Sequence, residues 1–351
     1  MSSNKISVIE QDWPDADLER VETCPYCDSP DRTLAFDSVR DWSFHSAPGK
    51  WNYWNCSRCR SLFLDPRPTE QSIGRAYGIY YTHVQPGRSL PARLKNRLRN
   101  EYISLAVGKS IEPRLGLPRI FRKLVAALDN KIIVPFGLRE LAGMPLGRYM
   151  DVGCGHGSSV LLVKQIGWDA RGIEIDPEAV KAARASKLDV ELGTYRALSE
   201  YPAAIDFLQC SHVVEHVHRP RELISLLQSS VSENGVIAIS CPNSLSPVRS
   251  FFGKHWRGIE APRHLAIPSR QILRDLFTSR GFLVSESLNE SAATTEAESF
   301  RIQRQGLQMS KDDVRNGRIL HARLDHAEPD FIRMICRRRG IDEKNRDVAL
   351  V

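Results

Sequence analysis

The sequence predicts an α/β protein built on a mostly parallel sheet with helices on both faces. From residue 147 onward, short apolar runs alternate with segments of helical periodicity, the order expected of repeated strand–helix–strand units. The runs are apolar throughout rather than alternately polar, which is typical of strands buried on both faces. A glycine-rich turn joins the first of these strands to the first helix and marks a place where a ligand can approach the backbone.

The first strand, turn and helix form the most informative part of the chain. A strand is predicted over residues 148–152, the alternate glycines Gly153, Gly155 and Gly157 follow it, and residues 158–166 have the apolar spacing of a helix. Glycine lets the backbone turn sharply and lets a ligand reach the partly positive start of the helix. The turn therefore predicts a site for a cofactor.

A second strand ends at Glu174, twenty-one residues after Gly153. A carboxylate at this place can accept two hydrogen bonds from ribose hydroxyls, so the turn and the acid together predict a nucleotide-like cofactor. The dinucleotide fingerprint requires another glycine where this chain has Ser158, which argues against NAD. The alternative is an ordinary tight connection between a strand and a helix, without a ligand.

The remaining elements continue the alternation and then lead into a polar segment. Residues 291–326 are polar and mostly helical in propensity, and they are longer than a simple hairpin connection. They either cover the substrate mouth or form an elaboration of the surface. The other predicted elements are strands at 189–193, 204–211, 235–240, 282–288 and 330–336 and helices at 219–229 and 271–280.

Two sets of motifs resemble known methyltransferases. The Asp-x-Gly-x-Gly-x-Gly motif that begins at Asp151 is similar to the first motif of the class I S-adenosylmethionine (SAM)-dependent methyltransferases, in which the loop passes the amino acid part of SAM. The His-Val-Val-Glu-His-Val motif that begins at His212, and the stretch 256–265, resemble the group of ubiquinone-biosynthesis methylases. The resemblance extends over roughly residues 147–285.

This resemblance implies a Rossmann-like, seven-stranded methyltransferase sheet whose seventh strand inserts antiparallel, and an enzyme that uses SAM. It also implies that the acid at the end of the second strand binds the ribose. The predicted cofactor-binding residues are Asp151, Gly153, Cys154, Gly155, Gly157, Glu174, Ile175 and Ser211.

Three histidines are candidates for the catalytic base. Methyl transfer from a sulfonium needs an acceptor lone pair or carbanion in line with the S–CH₃ bond, and a hydroxyl or acidic carbon also needs a base near neutrality. His212 and His216 follow the fourth strand at its carboxyl end, where open α/β sheets bind ligands, and His264 follows later in the chain. Glu215 can orient either neighbouring histidine. The plainer alternative is that these rings cap helices or fill the pocket wall.

Two Cys-x-x-Cys pairs near the amino terminus predict a metal site. Cys24, Cys27, Cys56 and Cys59 can form two knuckles, and four thiolates suit tetrahedral zinc. Disulfides are the first alternative, but the chain begins without an apolar signal segment, which favours a reducing cytoplasm. A thioredoxin-type redox pair is the second, and it lacks the expected strand-to-helix context. The prediction is a structural zinc ribbon that folds a small domain.

The segment after the ribbon resembles a recurrent front half of methyltransferases in this group. Its features are the sequence Asp-Pro-Arg-Pro from Asp65, a predicted short helix from Ile73, and the pair Tyr80 and Tyr81. This front half often occurs in bacterial glycan and polysaccharide pathways, which implies a glycan precursor as one class of acceptor. Two roles stay open for the aromatics: capping the SAM pocket, or packing the ribbon against the catalytic domain.

Positive charge is concentrated in one part of the chain. Residues 86–148 contain thirteen Lys or Arg and four Asp or Glu, a net of +9, while the whole chain carries +7. Two amphipathic helices with basic faces are predicted, at 90–102 and 119–128. Three interpretations stay open: a solvated face, contact of residues 88–123 with an anionic membrane surface or a lipid-diphosphate-linked sugar, and nucleic acid.

These observations predict four segments: a zinc ribbon at 1–70, a basic helical linker at 71–146, a methyltransferase domain at 147–340 and a tail at 341–351. No run approaches the roughly twenty apolar residues needed to cross a bilayer, so we predict a cytoplasmic protein, at most peripheral to a membrane.

The predicted function is SAM-dependent methylation of oxygen or carbon on a small molecule or glycan precursor. An RNA methyltransferase with a zinc module is the competing function. Against the amino-methylating kind, the chain lacks the Asn/Asp/Ser-Pro-Pro-aromatic motif after its fourth strand. A non-enzymatic ribbon on a degenerate cofactor fold is the third possibility, and the presence together of Asp151, the glycines and Glu174 argues against it.

Overall fold

The structure is a computed structural model that describes residues 8–78, 90–113, 115–116, 118, 136–286, 294–324 and 328–338. The chain divides into two compact units. We call the first the cysteine-bearing unit, which comprises Met1–Tyr81, Ser211–Ser225 and Ile239–Met334. We call the second the glycine-loop unit, which comprises Thr82–Cys210, Leu226–Ala238 and Ile335–Val351.

Strands and helices are numbered in chain order within the described residues. The strands are β1 Leu18–Glu19, β2 Arg32–Val39, β3 Trp51–Cys56, β4 Leu62–Leu64, β5 Arg67–Pro68, β6 Arg148–Val152, β7 Asp169–Glu174, β8 Asp189–Leu192, β9 Ile205–Ser211, β10 Val231–Pro242, β11 Ala266–Ile267, β12 Phe282–Glu286 and β13 Phe331–Arg338. The helices are α1 Leu90–Val107, α2 Leu138–Ala142, α3 Ser158–Ile166, α4 Pro177–Ala185, α5 Pro220–Ser230, α6 Pro247–Phe252, α7 Arg270–Thr278, α8 Thr294–Gln303 and α9 Lys311–His321.

The principal sheet has seven strands in the order β12-β13-β10-β9-β6-β7-β8. Strand β6 pairs in parallel with β7 and with β9, and β7 pairs in parallel with β8. The α/β class and the seven-stranded sheet are therefore confirmed. The predicted seventh strand lies between the fifth and the sixth, and the strand boundaries differ from the predicted ones by a few residues.

Helix α3 shows how the sequence determines the packing of the glycine-loop unit. Its buried residues Val160, Val163 and Ile166 follow the spacing of one helical face. The helix ends at Gly167, whose φ of 112° lies in the region that favours glycine. The next residue, Trp168, is buried in the same core. The apolar face of the helix therefore supports the strands that carry the glycine turn.

The cysteine-bearing unit contains an antiparallel sheet that the sequence did not reveal in full. Its four strands are ordered β11-β4-β3-β2. Strands β2, β3 and β4 come from the cysteine segment, whereas β11 comes from residues 266–267, which pair with Phe63 and Leu62. The buried aromatics Trp51, Tyr53 and Trp256 lie in one core of this unit. The cysteine segment therefore shares this sheet with residues from a later part of the chain.

A buried ion pair fixes one region of this unit. The guanidinium of Arg263 donates from both terminal nitrogens to the two oxygens of Asp41, at 3.0 and 2.9 Å, and neither side chain is exposed. Asp41 also accepts from the backbone N–H groups of Phe44, Ser46 and Ala47. Buried charges are stable only when they are paired and hydrogen-bonded, and here the carboxylate is satisfied by both kinds of partner.

The polar segment after β12 forms a helical hairpin that is built into the cysteine-bearing unit. Helices α8 and α9 pack so closely that a Cβ on Gly317 would lie 2.7 Å from the backbone nitrogen of Ala297. Arg301 donates to the carbonyls of Trp42 and Ser43. The predicted helical character is confirmed, and the first helix is largely buried rather than displayed on the surface.

Part of the basic region lies within the described residues. Helix α1 covers the first predicted basic helix, whereas the second, at 119–128, lies outside the described residues, as do the pair Tyr80–Tyr81 and the tail 341–351. Among the helices that the structure describes, none combines the length and the apolar character that a membrane span requires.

Candidate functional site

The glycine turn has the backbone conformation that the sequence predicts. Gly153, Gly155 and Gly157 have φ values of 73°, 54° and 77°, where residues with a Cβ are strained. A Cβ at Gly155 would meet nothing within 4 Å, whereas one at Gly157 would lie 2.6 Å from Leu188. Helix α3 starts after Gly157 without a side-chain cap, so its first N–H groups need other partners. The turn therefore leaves open space at Gly155.

Glu174 is held against this turn. Its Oε2 accepts a hydrogen bond from Gly155 N at 2.7 Å, and its Oε1 accepts from Ile175 N and Asp176 N, both at 2.9 Å. The residue is 6% exposed. A carboxylate offers about four acceptor positions, so three are used and one remains. The acid is therefore fixed in place and still able to accept from a ligand hydroxyl.

The predicted cofactor residues around this acid form a compact, negatively charged set. Asp151 is buried on β6, and burial raises its pKa to about 7; the charge of Glu174 adds to this, while a hydrogen bond with Ser159 opposes it. Two neighbouring carboxylates favour a cationic ligand, because a positive charge stabilises both of them in the ionised form. Ile175 follows with a side chain that is 68% exposed.

Cys154 has a packing role within the turn. A Cβ on Gly172 would lie 2.4 Å from the sulfur of Cys154, so the glycine on β7 makes room for this side chain. Strand β9 pairs with β6 up to Cys210, which lies opposite Val152. Ser211 ends β9 and is half-buried. Of the residues predicted to bind the cofactor, all but Ser211 belong to the glycine-loop unit.

His212 is the most exposed of the three candidate histidines. Its side chain is 51% exposed, and its Nδ1 lies 3.2 Å from Oε1 of Glu215. Partial burial lowers the pKa of His212, but the hydrogen bond and the charge of Glu215 outweigh this, so the pKa is raised. The backbone has a φ of 55°, and His212 N donates to Ser240 O. The structure therefore contains the predicted pairing of Glu215 with a histidine.

His216 and His264 lie against each other. Their ring centroids are 4.6 Å apart, with the planes at 80°. His216 Nδ1 is 3.0 Å from the hydroxyl of Tyr77 and 3.2 Å from Arg263 O, and His264 Nδ1 is 2.7 Å from Gly258 O. Burial lowers the pKa of both rings to about 4, so both are neutral at physiological pH. His216 is half-buried and His264 is buried.

Sequence reasoning missed Tyr77 and Arg263 as parts of this region. Tyr77 ends the short 3₁₀ helix Ile73–Tyr77. It comes shortly before Tyr80 and Tyr81, the pair considered in the sequence analysis. Arg263 lies directly before the candidate histidine His264 in the stretch 256–265. This position was the only sign in the sequence that Arg263 belongs to the site, and nothing there indicated its partner. Its partner Asp41 lies 222 residues away in the chain.

The four predicted zinc ligands are brought together. Their sulfur atoms all lie within 4.8 Å of one another, and the Cys24–Cys59 and Cys27–Cys56 pairs are 3.5 Å apart. Sulfurs at about 2.3 Å from one tetrahedral ion are roughly 3.8 Å apart, so the cluster has the size of a zinc site. The two knuckles are alike: Asp28 N donates to Cys24 O and Arg60 N to Cys56 O, each at 3.0 Å.

One further cavity lies in the cysteine-bearing unit. Its volume is about 510 Å³, within the range of small-molecule pockets. Of the predicted site residues, only Cys56 lines it; the other walls include Phe36, Arg60, Arg249 and Glu328. No pattern in the sequence predicts this cavity.

Comparison with known proteins places the glycine turn in a methyltransferase domain. Residues 119–287 match the family model described as "Methyltransferase domain". The ubiquinone biosynthesis O-methyltransferase of Xanthomonas campestris is 31% identical over 107 residues, covering 28% of this chain and 45% of that protein. The enzyme of the same name from Bordetella avium is 31% identical over 114 residues, covering 30% and 47%. A SAM-dependent methyltransferase structure from Archaeoglobus fulgidus covers 55% of this chain and 86% of its own, with 23% identity and a TM-score of 0.41.

The sheet order, the glycine turn with its acid and the family match together define a SAM-dependent methyltransferase domain. The relatives of this domain are O-methyltransferases by name. The chain spans about 45% of the length of the curated relatives it matches.

The raised pKa of Asp151 predicts a pH-dependent effect of Asp151→Asn in the protein without ligand. Between the ordinary pKa of 3.8 and about 7, the folded protein binds more protons than the unfolded chain, so this group makes stability fall as pH rises. The Asn variant lacks that slope. Its free energy of unfolding relative to wild type should increase by about 2 kcal/mol from pH 5 to pH 8.

Urea unfolding at the two pH values measures this difference. Asp189→Asn is the matched control, because Asp189 is exposed at the sheet edge and the same change there should shift stability equally at both pH values. A constant difference between wild type and Asp151→Asn across this range would contradict the assignment.

Proposed function

We propose that this protein transfers the methyl group of SAM to a hydroxyl oxygen of a small molecule. The observation that carries the proposal is the carboxylate of Glu174, fixed by three backbone N–H groups beside an open glycine turn. The names of the matched relatives favour an oxygen acceptor over carbon. A glycan precursor is one member of this acceptor class, and RNA is the competing acceptor.

The residues of the glycine-loop unit suit SAM in charge and in shape. SAM supplies an electrophilic methyl group on a positively charged sulfur. Glu174 has an acceptor position left for a ribose hydroxyl, and the open turn around Gly155 admits the amino acid part beside the start of α3, which has no side-chain cap. The carboxylates of Asp151 and Glu174 favour a cation, and the exposed side chain of Ile175 offers an apolar surface to the adenine ring.

His212 is the residue we propose as the general base. An acceptor hydroxyl must lose its proton during methyl transfer, and a histidine with a pKa near the working pH does this best. Glu215 accepts from Nδ1 of His212, which leaves the lone pair of the neutral ring on Nε2. His264 is buried and bonded to Gly258 O, so it is less accessible to an acceptor. His212 comes two residues after Cys210 in the chain, and Cys210 pairs with Val152 on the strand that carries Asp151.

The four cysteines form the second part of the proposal. We infer that Cys24, Cys27, Cys56 and Cys59 bind one structural zinc ion as thiolates, because the cluster has the donor set and the size of such a site. Hydrogen bonds from Ser269 Oγ to Cys59 O and from Ser244 Oγ to Arg60 O tie the second knuckle to later residues of the same unit. Zinc would therefore stabilise more than the amino-terminal segment.

Loss of the Glu174 charge should weaken SAM binding. Glu174→Gln removes charge-assisted acceptance by this side chain, each such hydrogen bond contributing about 2 kcal/mol, so the Kd for SAM should rise about 30-fold. Isothermal titration calorimetry measures this. Glu191→Gln, the same change at an exposed position of β8, should bind like wild type. Equal SAM affinity of wild type and Glu174→Gln, or no binding to wild type, would refute the cofactor assignment.

The acceptor class can be tested without knowing the acceptor. Purified protein is incubated with methyl-labelled SAM and either a small-molecule extract or total RNA. We expect label in a nuclease-resistant, low-molecular-weight product, which alkaline treatment and mass spectrometry identify as an ether or an ester. His212→Gln should lower the rate by about 10²-fold and leave the Kd for SAM unchanged. Nuclease-sensitive label in RNA would establish the competing function instead.

The zinc proposal predicts a loss of one equivalent of zinc in Cys59→Ser. A serine hydroxyl is a poor zinc ligand, and metal binding contributes to the folding of small sites, so the variant should also have a lower melting temperature. Mass-spectrometric metal analysis gives the content. Cys154→Ser, a cysteine outside the cluster, should keep the wild-type zinc content. Unchanged zinc content in Cys59→Ser would rule out this cluster as the binding site.

A further inference from the structure

The cavity in the cysteine-bearing unit has two guanidinium groups on its walls. Its volume is about 510 Å³, which is enough for a small organic molecule. One guanidinium belongs to Arg60, which follows the second cysteine knuckle, and the other belongs to Arg249 on helix α6. All the residues that line the cavity are part of this one unit. A cleft with positive charge on its walls favours an anionic molecule.

Arg249 is half-buried and is held in place by neutral groups. One terminal nitrogen donates to Ser244 O, and the other donates to Asn55 Oδ1 at 2.6 Å. The guanidinium carbon lies 5.2 Å from the centroid of the Phe36 ring, which adds a cation–π contact. Among the residues that the structure describes, no carboxylate pairs with this side chain, and burial lowers its pKa to about 10. Arg249 is therefore charged at neutral pH and has no counter-ion.

Arg249 and Asn55 both have hydrogen-bond donors left over. A guanidinium has five N–H groups, and within the described part of the chain only two of those of Arg249 have an acceptor. Because a guanidinium only donates, the amide of Asn55 turns its oxygen toward Arg249, which leaves its Nδ2 to donate elsewhere. Both residues line the cavity. The wall therefore offers N–H donors to a ligand that carries acceptor oxygens.

Arg60 is fixed at the cavity through its backbone. Its N donates to Cys56 O at 3.0 Å, and its O accepts from Ser244 Oγ at 2.8 Å. The exposed side chain forms no hydrogen bond or ion pair with any other described residue. Since Ser244 O accepts from Arg249, the same serine contacts both arginines. The two positive charges are thus placed on one wall system by shared hydrogen bonds, which is a condition for a preorganised site.

The acidic group on the wall does not cancel these charges. Glu328 lines the cavity, but its Oε1 pairs with Arg270 at 3.1 Å and its Oε2 accepts from Asn243 Nδ2 at 3.0 Å. Cys56 also lines the cavity, and a zinc ion bound to its thiolate would offset part of that negative charge. The guanidinium groups are therefore the charges that remain for a ligand.

We propose that this cavity binds the phosphate group of a phosphorylated small molecule between Arg60 and Arg249. A phosphate monoester has a charge of about −1.5 to −2 near neutral pH and three strong acceptor oxygens, which match two guanidinium groups and the amide of Asn55. A carboxylate has one charge and two oxygens, so a single arginine satisfies it. The cavity holds many more atoms than a phosphate group, so the organic part of the ligand also has room.

Calorimetric titration of the zinc-containing protein with sodium phosphate tests this site. Sodium acetate at the same ionic strength is the carboxylate control. We expect one phosphate per chain with a Kd of about 1 mM or lower, and acetate binding that is weaker by about 10-fold or more. No methyl transfer takes place in this measurement, so its outcome is independent of the proposed function.

Three variants locate the bound phosphate. Arg60→Gln and Arg249→Gln each remove one charge from the cavity and should raise the Kd about 10-fold. Arg58→Gln removes an exposed arginine of the same knuckle that does not line the cavity, and it should bind like wild type.

Circular dichroism and zinc content check that the variants are folded. If Arg249→Gln is not, Arg60→Gln decides, because the side chain of Arg60 is exposed. Four results would each overturn the proposal: no phosphate binding by wild type, equal affinity for acetate and phosphate, wild-type affinity in the folded cavity variants, or an equal loss in Arg58→Gln.

Discussion

The contact between the Glu174 carboxylate and the N–H of Gly155 is the interaction on which the account of this protein depends. It joins the end of β7 to the turn after β6, and the other oxygen of the same carboxylate accepts hydrogen bonds from Ile175 N and Asp176 N. The turn needs glycine because its φ values are positive. A charged acceptor in a nearly dry environment then gives the turn a binding preference for a cation that carries hydroxyl groups.

In the cysteine-bearing unit, by contrast, buried charged side chains form ion pairs with one another. Arg263 and Asp41 satisfy each other, and Arg257 and Glu260 form a second pair. Glu215 and Glu260 are less fully satisfied, since each has one buried carboxylate oxygen without a hydrogen-bond partner among the described residues. Buried polar groups without partners are rare in folded proteins. The most informative carboxylates of this unit are therefore those whose hydrogen bonding is incomplete.

Local patterns in the sequence predicted the elements whose contacts are local. The glycine turn, helix α3 and the acid at the end of β7 could all be predicted, because the spacing of residues along a short stretch determines them. The two Cys-x-x-Cys pairs likewise predicted that their four sulfur atoms come together. The pairing of Ala266–Ile267 with β4, and of Arg263 with Asp41, was not predictable, because it joins segments some 200 residues apart. The Tyr77–His216 contact belongs to the same class, since no periodicity connects a tyrosine to a histidine 139 residues away.

The most direct measurement of the central claim is a crystal structure of the protein with S-adenosylhomocysteine, the product of SAM. The account predicts density for the ligand at the glycine turn, with a ribose hydroxyl within hydrogen-bond distance of a Glu174 oxygen and the amino acid part beside Gly155. Ligand bound elsewhere, or a turn filled by side chains at ligand concentrations well above those of the cell, would contradict it.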